Sequence, residues 1–178
     1  MVKDADNIHV YGSEDDTVWL APLGSTLPTT LATPDAAFED VGYLGEDGID
    51  HGRDADVQEF RVHQAGKVVR KKVTSSTKTI VFRAVEDNDF VAGIADNVIS
   101  SATATGVTTR VLSDASEVAV RACVVDLIDN GYMKRLVIPR LEIVVTGTQT
   151  FANSSMTELE CEGTIIGNYT EITGPVPA

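Results

Sequence analysis

Length, composition and charge exclude several classes of protein. The chain has 178 residues, with 27 acidic and 14 basic side chains and a formal net charge of -13. At about 150 residues per domain this is one domain's worth of chain. Hydrophobic residues make up 43% of it, which is too many for a disordered chain. A sequence-independent nucleic-acid binder needs net positive charge, so that class is excluded. No secretion signal and no stretch of about twenty apolar residues is visible, so we expect no membrane association.

The composition favours β structure. The sequence has 23 Val and 19 Thr but only 10 Leu, and β-branched side chains suit pleated sheets better than helices. The N-terminal third predicts an arm (1–16), a strand (17–21) and then a long loop (22–56), because Pro and Gly punctuate that segment throughout. A loop of that length is unusual and is typically functional.

Strands follow in quick succession after the loop. Segments 60–64, 67–73 and 77–85 alternate or run apolar, and Ala65-Gly66 and Ser75-Ser76 are predicted turns. The period then changes, because Phe90, Ile94 and Val98 recur at helical spacing. This predicts one helix at about 87–99 that starts at Asp87 or Asn88 and packs those three side chains on the sheet.

The last third predicts strands again. The apolar phase switches between Val124 and Val125, which is typical of a β-bulge. Asp129-Asn130-Gly131 predicts a tight hairpin, followed by strands at 132–139, 141–145 and 156–166. The core would cover 57–168, and 169–178 would be a C-terminal arm.

We find no constellation of catalytic residues. The sequence has no phosphate-binding loop, dinucleotide fingerprint or nucleophile elbow, and its three His residues lack metal-ligand spacing. The acidic stretch around residues 47–59 does not fit a calcium loop. Cys123 and Cys161 make no disulfide framework and are expected to be buried apolar side chains. We therefore predict no enzyme activity, no cofactor and no metal.

One acidic pattern is sharper than the rest. Glu158, Glu160 and Glu162 alternate with residues of the opposite face of a strand, so they share one side of a sheet. An ordinary solvent face of a half-buried sheet explains the pattern too.

Four motifs, in this order, resemble one family. VWLAPLGSTLPTT and FEDVGYLGEDGI are similar to the N-terminal part of tail tube proteins of long non-contractile-tailed bacteriophages. VFRAVEDNDFVAGI resembles the family's passage from strand to helix, and GYMKRLVIPRLEI resembles its late hairpin. The resemblance extends from Val18 to Asn168.

The resemblance implies a β-sandwich or barrel with a flanking helix, whose hexameric rings stack into a tube. DNA would pass through the lumen without specific binding. We expect Glu158, Glu160 and Glu162 to face that lumen, because they share one side of a strand. Implied partners are the tape measure protein, the tail terminator and distal tail proteins. The tube would belong to the virion tail and be assembled in the bacterial host cytoplasm.

We also expect the 22–56 loop to connect stacked rings. It carries acidic residues, and basic strands follow it, so complementary charges on two copies would set their register. The expected contacts are Leu27, Leu31, Phe38, Asp40, Tyr43, Leu44, Glu46, Asp47, Lys71 and Lys72. Two alternatives remain: the inner tube of a contractile tail or injection machine, and an Ig-like binding module with short loops.

Overall fold

The protein is mostly β with one short helix, as a computed structural model shows for residue 4 and residues 7–177. Helix α1 spans Asp89–Ala95. The strands are β1 (Thr17–Pro22), β2 (Glu39–Asp40), β3 (Leu44–Arg61), β4 (Val68–Ala84), β5 (Val98–Ala104), β6 (Val107–Leu112), β7 (Ala119–Asp129), β8 (Tyr132–Val145), β9 (Leu159–Ile165) and β10 (Thr170–Pro175).

Eight strands form one antiparallel sheet in the order β2-β1-β7-β8-β9-β4-β3, with β10 paired to β8. Strand β8 serves both halves of this sheet: its first part pairs with β10 and its second part with β9. Pro139, which has no N–H to donate, lies where the partner changes, and the register of β7 shifts just opposite. The antiparallel sheets agree with a β-sandwich, so the predicted fold class is confirmed.

Most of the buried apolar residues in the described part of the chain belong to two clusters. The larger one includes Leu20, Phe82, Ile138 and Leu141. The smaller one includes Phe38 and Val124 and lies on the opposite side of β1, β7 and β8. Strand β7 is therefore buried on both faces at 122–126. Burial on both faces explains the lost alternation there, and the register shift itself lies earlier than expected, between Arg121 and Cys123.

The predicted helix is shorter than expected. It begins after Asn88, whose side-chain oxygen accepts a hydrogen bond from the Val91 N–H at 2.8 Å. It ends at Ala95, and Val98 belongs to β5 instead. Residues 98–112 form an exposed hairpin of β5 and β6 that the sequence did not predict.

Two substitutions test how much the packing of the helix contributes to the free energy of unfolding. Ile94 is only 6% exposed in the main cluster, whereas Phe90 is half-buried against it. We expect Ile94→Ala to lower the free energy of unfolding by about 2–4 kcal/mol. Phe90→Ala should cost about 1–2 kcal/mol, because part of its side chain stays in water. Urea unfolding checks both values, and a larger loss for Phe90→Ala than for Ile94→Ala would contradict this packing.

Other boundaries also differ from the sequence prediction. The long loop ends at residue 43, since 44–56 form the first part of β3. Strand β4 continues through the predicted Ser75-Ser76 turn, whereas Ala65-Gly66 does lie in the connection between β3 and β4. Part of the expected C-terminal arm is β10. Of the expected N-terminal arm, residues 1–3, 5 and 6 lie outside the described residues, as does residue 178 at the other end.

Candidate assembly surfaces

A buried ion pair fixes the first part of the long loop to the subunit's own sheet. Arg135 on β8 is 1% exposed and Asp126 on β7 is 4% exposed. The guanidinium donates to both carboxylate oxygens, at 2.7 and 2.8 Å. It also donates to the carbonyl oxygens of Thr30 and Ala32, at 2.8 and 2.6 Å. Trp19 Nε1 donates to the same carboxylate at 3.1 Å. The Arg135 guanidinium thus links the loop to β7 and β8.

Three apolar side chains expected at a subunit contact lie over this same sheet. Phe38 is 5% exposed in the smaller cluster, and Leu27 packs against that cluster. Leu31 lies over Gly174 of β10, where an added Cβ would come within 3.3 Å of its Cδ1 atom. These three side chains therefore anchor the loop within the subunit.

The remaining loop residues gather near the C-terminal end of β4. Tyr43 is 77% exposed, and its N–H donates to Glu86 Oε1 at 3.0 Å. Leu44 packs on the main cluster opposite Ala84. Asp40 and Glu46 are exposed, and Asp47 accepts from Arg83. This end of the β3–β4 hairpin thus presents an exposed aromatic ring and several carboxylates.

The other end of the hairpin is a projecting arm, which we define as residues 53–78. Strand β9 pairs with β4 only from Thr79 to Ala84, so within the arm β3 and β4 pair only with each other. Nearly all of these residues are exposed. Nine residues of β3 at about 3.3 Å each give the arm a length of about 30 Å. An isolated two-stranded hairpin is marginal in water, so the arm is a surface suited to a partner.

The arm is both basic and apolar. It holds seven basic and three acidic residues, a net charge of +4. Glu59 lies opposite Lys71, whose hydrogen bond to it lowers the pKa of that carboxyl. Lys72 lies opposite Gln58. Val57, Val69 and Val73 remain exposed beside these charges.

The outer face of β3, β4, β9 and the second half of β8 is acidic. Alternation puts this face opposite the main cluster. It carries six carboxylates and two guanidiniums: Asp47, Asp50, Glu142, Glu158, Glu160, Glu162, Arg83 and Arg140. We call it the acidic face, and its net charge is -4.

Arg83 neutralises part of the acidic face. It binds Glu160 through Nε at 3.0 Å and Nη2 at 2.7 Å, lies 3.9 Å from Glu158, and also binds Asp47. The hydrogen bond to Glu160 is the main reason that the pKa of Arg83 is raised. Glu162, exposed between Val81 and Val144, has no ion pair within residues 7–177. Glu160 and Glu162 therefore share a strand face as expected, Glu158 lies just before β9, and only Glu162 is unneutralised.

The described residues contain no group of His, Cys, Asp and Glu that could hold a metal ion. Burial raises the pKa of the Cys161 thiol to about 12 and also raises that of Cys123, so neither is a ready nucleophile at neutral pH. Across residue 4 and residues 7–177, no helix has the length and apolar character needed to cross a membrane.

Sequence reasoning predicted the Ala65-Gly66 turn and the strands beside it, but missed their projection as an arm and the roles of two arginines. The arm projects because β9 pairs with β4 only from Thr79 to Ala84, and the sequence does not show where a neighbouring strand stops. Arg83 and Arg135 look like ordinary strand residues, and only cross-strand register shows their partners. For the arm, the available signal was a pair of opposite charges, Glu59 and Lys71, on either side of the Ala65-Gly66 turn.

Two comparisons with known proteins bear on the family of the chain. A search of curated proteins found no match to the chain. A family model described as phage tail tube protein matches residues 5–172, which is nearly the whole chain. The family is a structural one and not a family of enzymes. The chain belongs to the phage tail tube proteins and is a structural component of the virion tail.

Proposed function

We propose that the chain is the repeating subunit of the tube of a long non-contractile tail, forming hexameric rings that stack around a DNA-conducting lumen. The observation that carries the proposal is the polarity of the β3–β4 hairpin. Its basic arm and its acidic base lie at opposite ends of the same two strands. Family membership supports self-assembly into a tube.

Charge complementarity favours contact between copies. The arm carries +4 and the whole chain -13, so the remainder of the chain carries -17. A second copy therefore offers the arm a strongly acidic surface. Contacts between unlike patches are head-to-tail, and such contacts close into rings or continue as open stacks.

The stacking contact is proposed for the two ends of the hairpin. Tyr43, Glu46 and Asp47 of one copy would meet Lys71 and Lys72 of the next. The exposed aromatic ring would contribute most of the binding energy, and the charges would contribute orientation and rate. Leu27, Leu31 and Phe38 would act indirectly by holding the loop in place.

The acidic face is proposed to line the lumen. Sixfold repetition of a face with net charge -4 would surround the channel with carboxylates. Phosphates would then meet a wall of net negative charge, so DNA could move without binding. Glu162 would be the main contributor, because Arg83 neutralises its neighbours.

Contacts at the ends of the tube are proposed with a tail terminator, distal tail proteins and a tape measure protein inside it. Assembly would take place in the host cytoplasm. The nearest alternative is the inner tube of a contractile tail or injection machine, whose outer surface must bind a sheath. The family match favours a tube protein over an Ig-like binding module.

Negative-stain microscopy of the purified protein tests the proposal. We expect rings of six subunits and tubes built from them. A protein that stays monomeric at high concentration would contradict the proposal. Particles from infected cells distinguish the two kinds of tail, because a sheath around the tube would favour the contractile alternative.

A charge reversal tests the lumen assignment. Glu162→Lys should leave tubes intact, because the side chain is exposed and forms no ion pair with any described residue. Its tubes should retain short duplex DNA on sedimentation at low salt and release it as salt rises. Glu117→Lys, an exposed acid outside the acidic face, is the matched control. Equal DNA retention by both variants would show that Glu162 does not line the channel.

A further inference from the structure

A second candidate docking surface lies at the end of the molecule opposite the arm tip. It is a groove of about 380 Å³ between α1, β6 and the 146–158 loop. We call it the α1–β6 groove. Val91, Leu112 and Leu159 supply apolar lining, and Phe151 stands 80% exposed at its rim.

The groove is acidic as well as apolar. Glu86, Asp87 and Asp96 line it, and Asp89 lies beside it. Among the described residues that line it, the one cation is Arg110, which donates to Asp89 at 2.7 Å and to Asp87 at 3.2 Å. Four carboxylates against one guanidinium leave a net charge of -3, and two of these acids, Asp87 and Asp89, are paired with Arg110.

We propose that the α1–β6 groove of one subunit receives the arm of a second copy of this chain. The inference rests on the proposed tube function and names the acceptor of the arm within it. The arm and the groove match in apolar character and in charge. The arm brings exposed Val57, Val69 and Val73 together with a net charge of +4 to a groove that is apolar and carries -3.

The arm and the groove of one subunit lie at opposite ends of β4, so an arm can reach only the groove of a different copy. The arm connection precedes Val68, where β4 begins, and the groove is lined by Ala84, where β4 ends. Seventeen residues of extended strand span about 50 Å. A subunit therefore cannot place its arm in its own groove. A neighbour displaced along the strand direction can, and repeating the contact propagates in one direction.

The groove also lies beside the exposed end of the loop. Glu86 lines the groove and accepts the hydrogen bond from the Tyr43 N–H at 3.0 Å. An arm seated in the groove would pass next to the Tyr43 ring. The groove and the acidic base of the hairpin thus form one continuous surface for the incoming arm.

Reversing the charges on the arm and on the groove tests whether the two surfaces contact each other. The arm variant Arg70→Glu/Lys72→Glu and the groove variant Asp87→Lys/Asp96→Lys should each fold, as circular dichroism would show, since all four side chains are exposed. Each should elongate about tenfold more slowly at low salt, because complementary charges set the association rate. The chain that combines all four changes should elongate at close to the wild-type rate. The control Asp114→Lys/Glu117→Lys adds the same charge outside the groove and should behave as wild type.

Cross-linking gives a second readout that does not depend on rates. Val69→Cys protein mixed with Gln149→Cys protein should form disulfide-linked dimers in oxidised tubes, because the first position is on the arm and the second lines the groove. A mixture with Thr170→Cys on β10 in place of Gln149→Cys should not. The native cysteines are buried and do not interfere.

The outcomes separate this inference from the tube function. Normal elongation of the groove variant, or tubes without Val69–Gln149 cross-links, would show that the arm docks elsewhere while leaving the tube function intact. Failure of the wild-type protein to form rings or tubes would overturn both. Slow elongation of each variant with recovery in the combined chain would support the arm–groove contact.

Discussion

Arg135→Met is expected to lower the free energy of unfolding by about 3–5 kcal/mol, since it leaves Asp126 as an uncompensated buried carboxylate. The two side chains are 1% and 4% exposed and share two hydrogen bonds. The substitution also removes both donors to Thr30 and Ala32. The loop should therefore become sensitive to proteolysis before the rest of the chain unfolds.

The matched control removes both charges. Arg135→Met/Asp126→Leu leaves no unpaired charge, so its loss should be smaller than that of the single variant. The free loop carbonyls and the lost Trp19 partner should keep it below wild type. Urea unfolding of the three proteins gives the comparison. A double variant less stable than Arg135→Met would contradict a penalty that comes from the orphaned carboxylate.

Removing most of the arm is expected to abolish tubes while leaving the subunit folded. Residues 57–74 would be replaced by Asn-Gly, which accepts the tight turn between the paired residues Asp56 and Ser75. The removed residues belong to neither buried cluster, so the free energy of unfolding should change by less than about 1 kcal/mol. Under the proposed stacking contact, sedimentation and microscopy should show rings or monomers and no extended tubes.

A second exposed hairpin supplies the control. Replacing residues 103–108 of β5 and β6 by Asn-Gly joins the paired Ala102 and Thr109 and leaves Arg110 in place. This variant should still form tubes. Tubes of normal length from the arm-deleted protein would rule out the arm as a stacking element.

The fold class, the single helix and the β7–β8 turn were predictable from the amino-acid sequence, and the helix cap was narrowed to Asp87 or Asn88. These features depend on local chemistry. Asn88 caps the helix through its own side chain, and Asn130 and Gly131 adopt the positive φ angles that a tight turn requires. The burial of Cys123 and Cys161 was predictable as well, because free cysteine commonly behaves as a small buried apolar side chain.

Which surfaces are buried within the subunit and which are exposed was not predictable from the sequence. Phe38 looked like an exposed loop anchor, but β7 and β8 bury it because β7 packs on both faces. The three glutamates looked equivalent, but β4 brings Arg83 beside two of them and leaves Glu162 alone. Both cases have the same cause. Burial and ion pairing depend on cross-strand neighbours far away in the chain, and the register that brings those neighbours together could not be predicted from a single sequence.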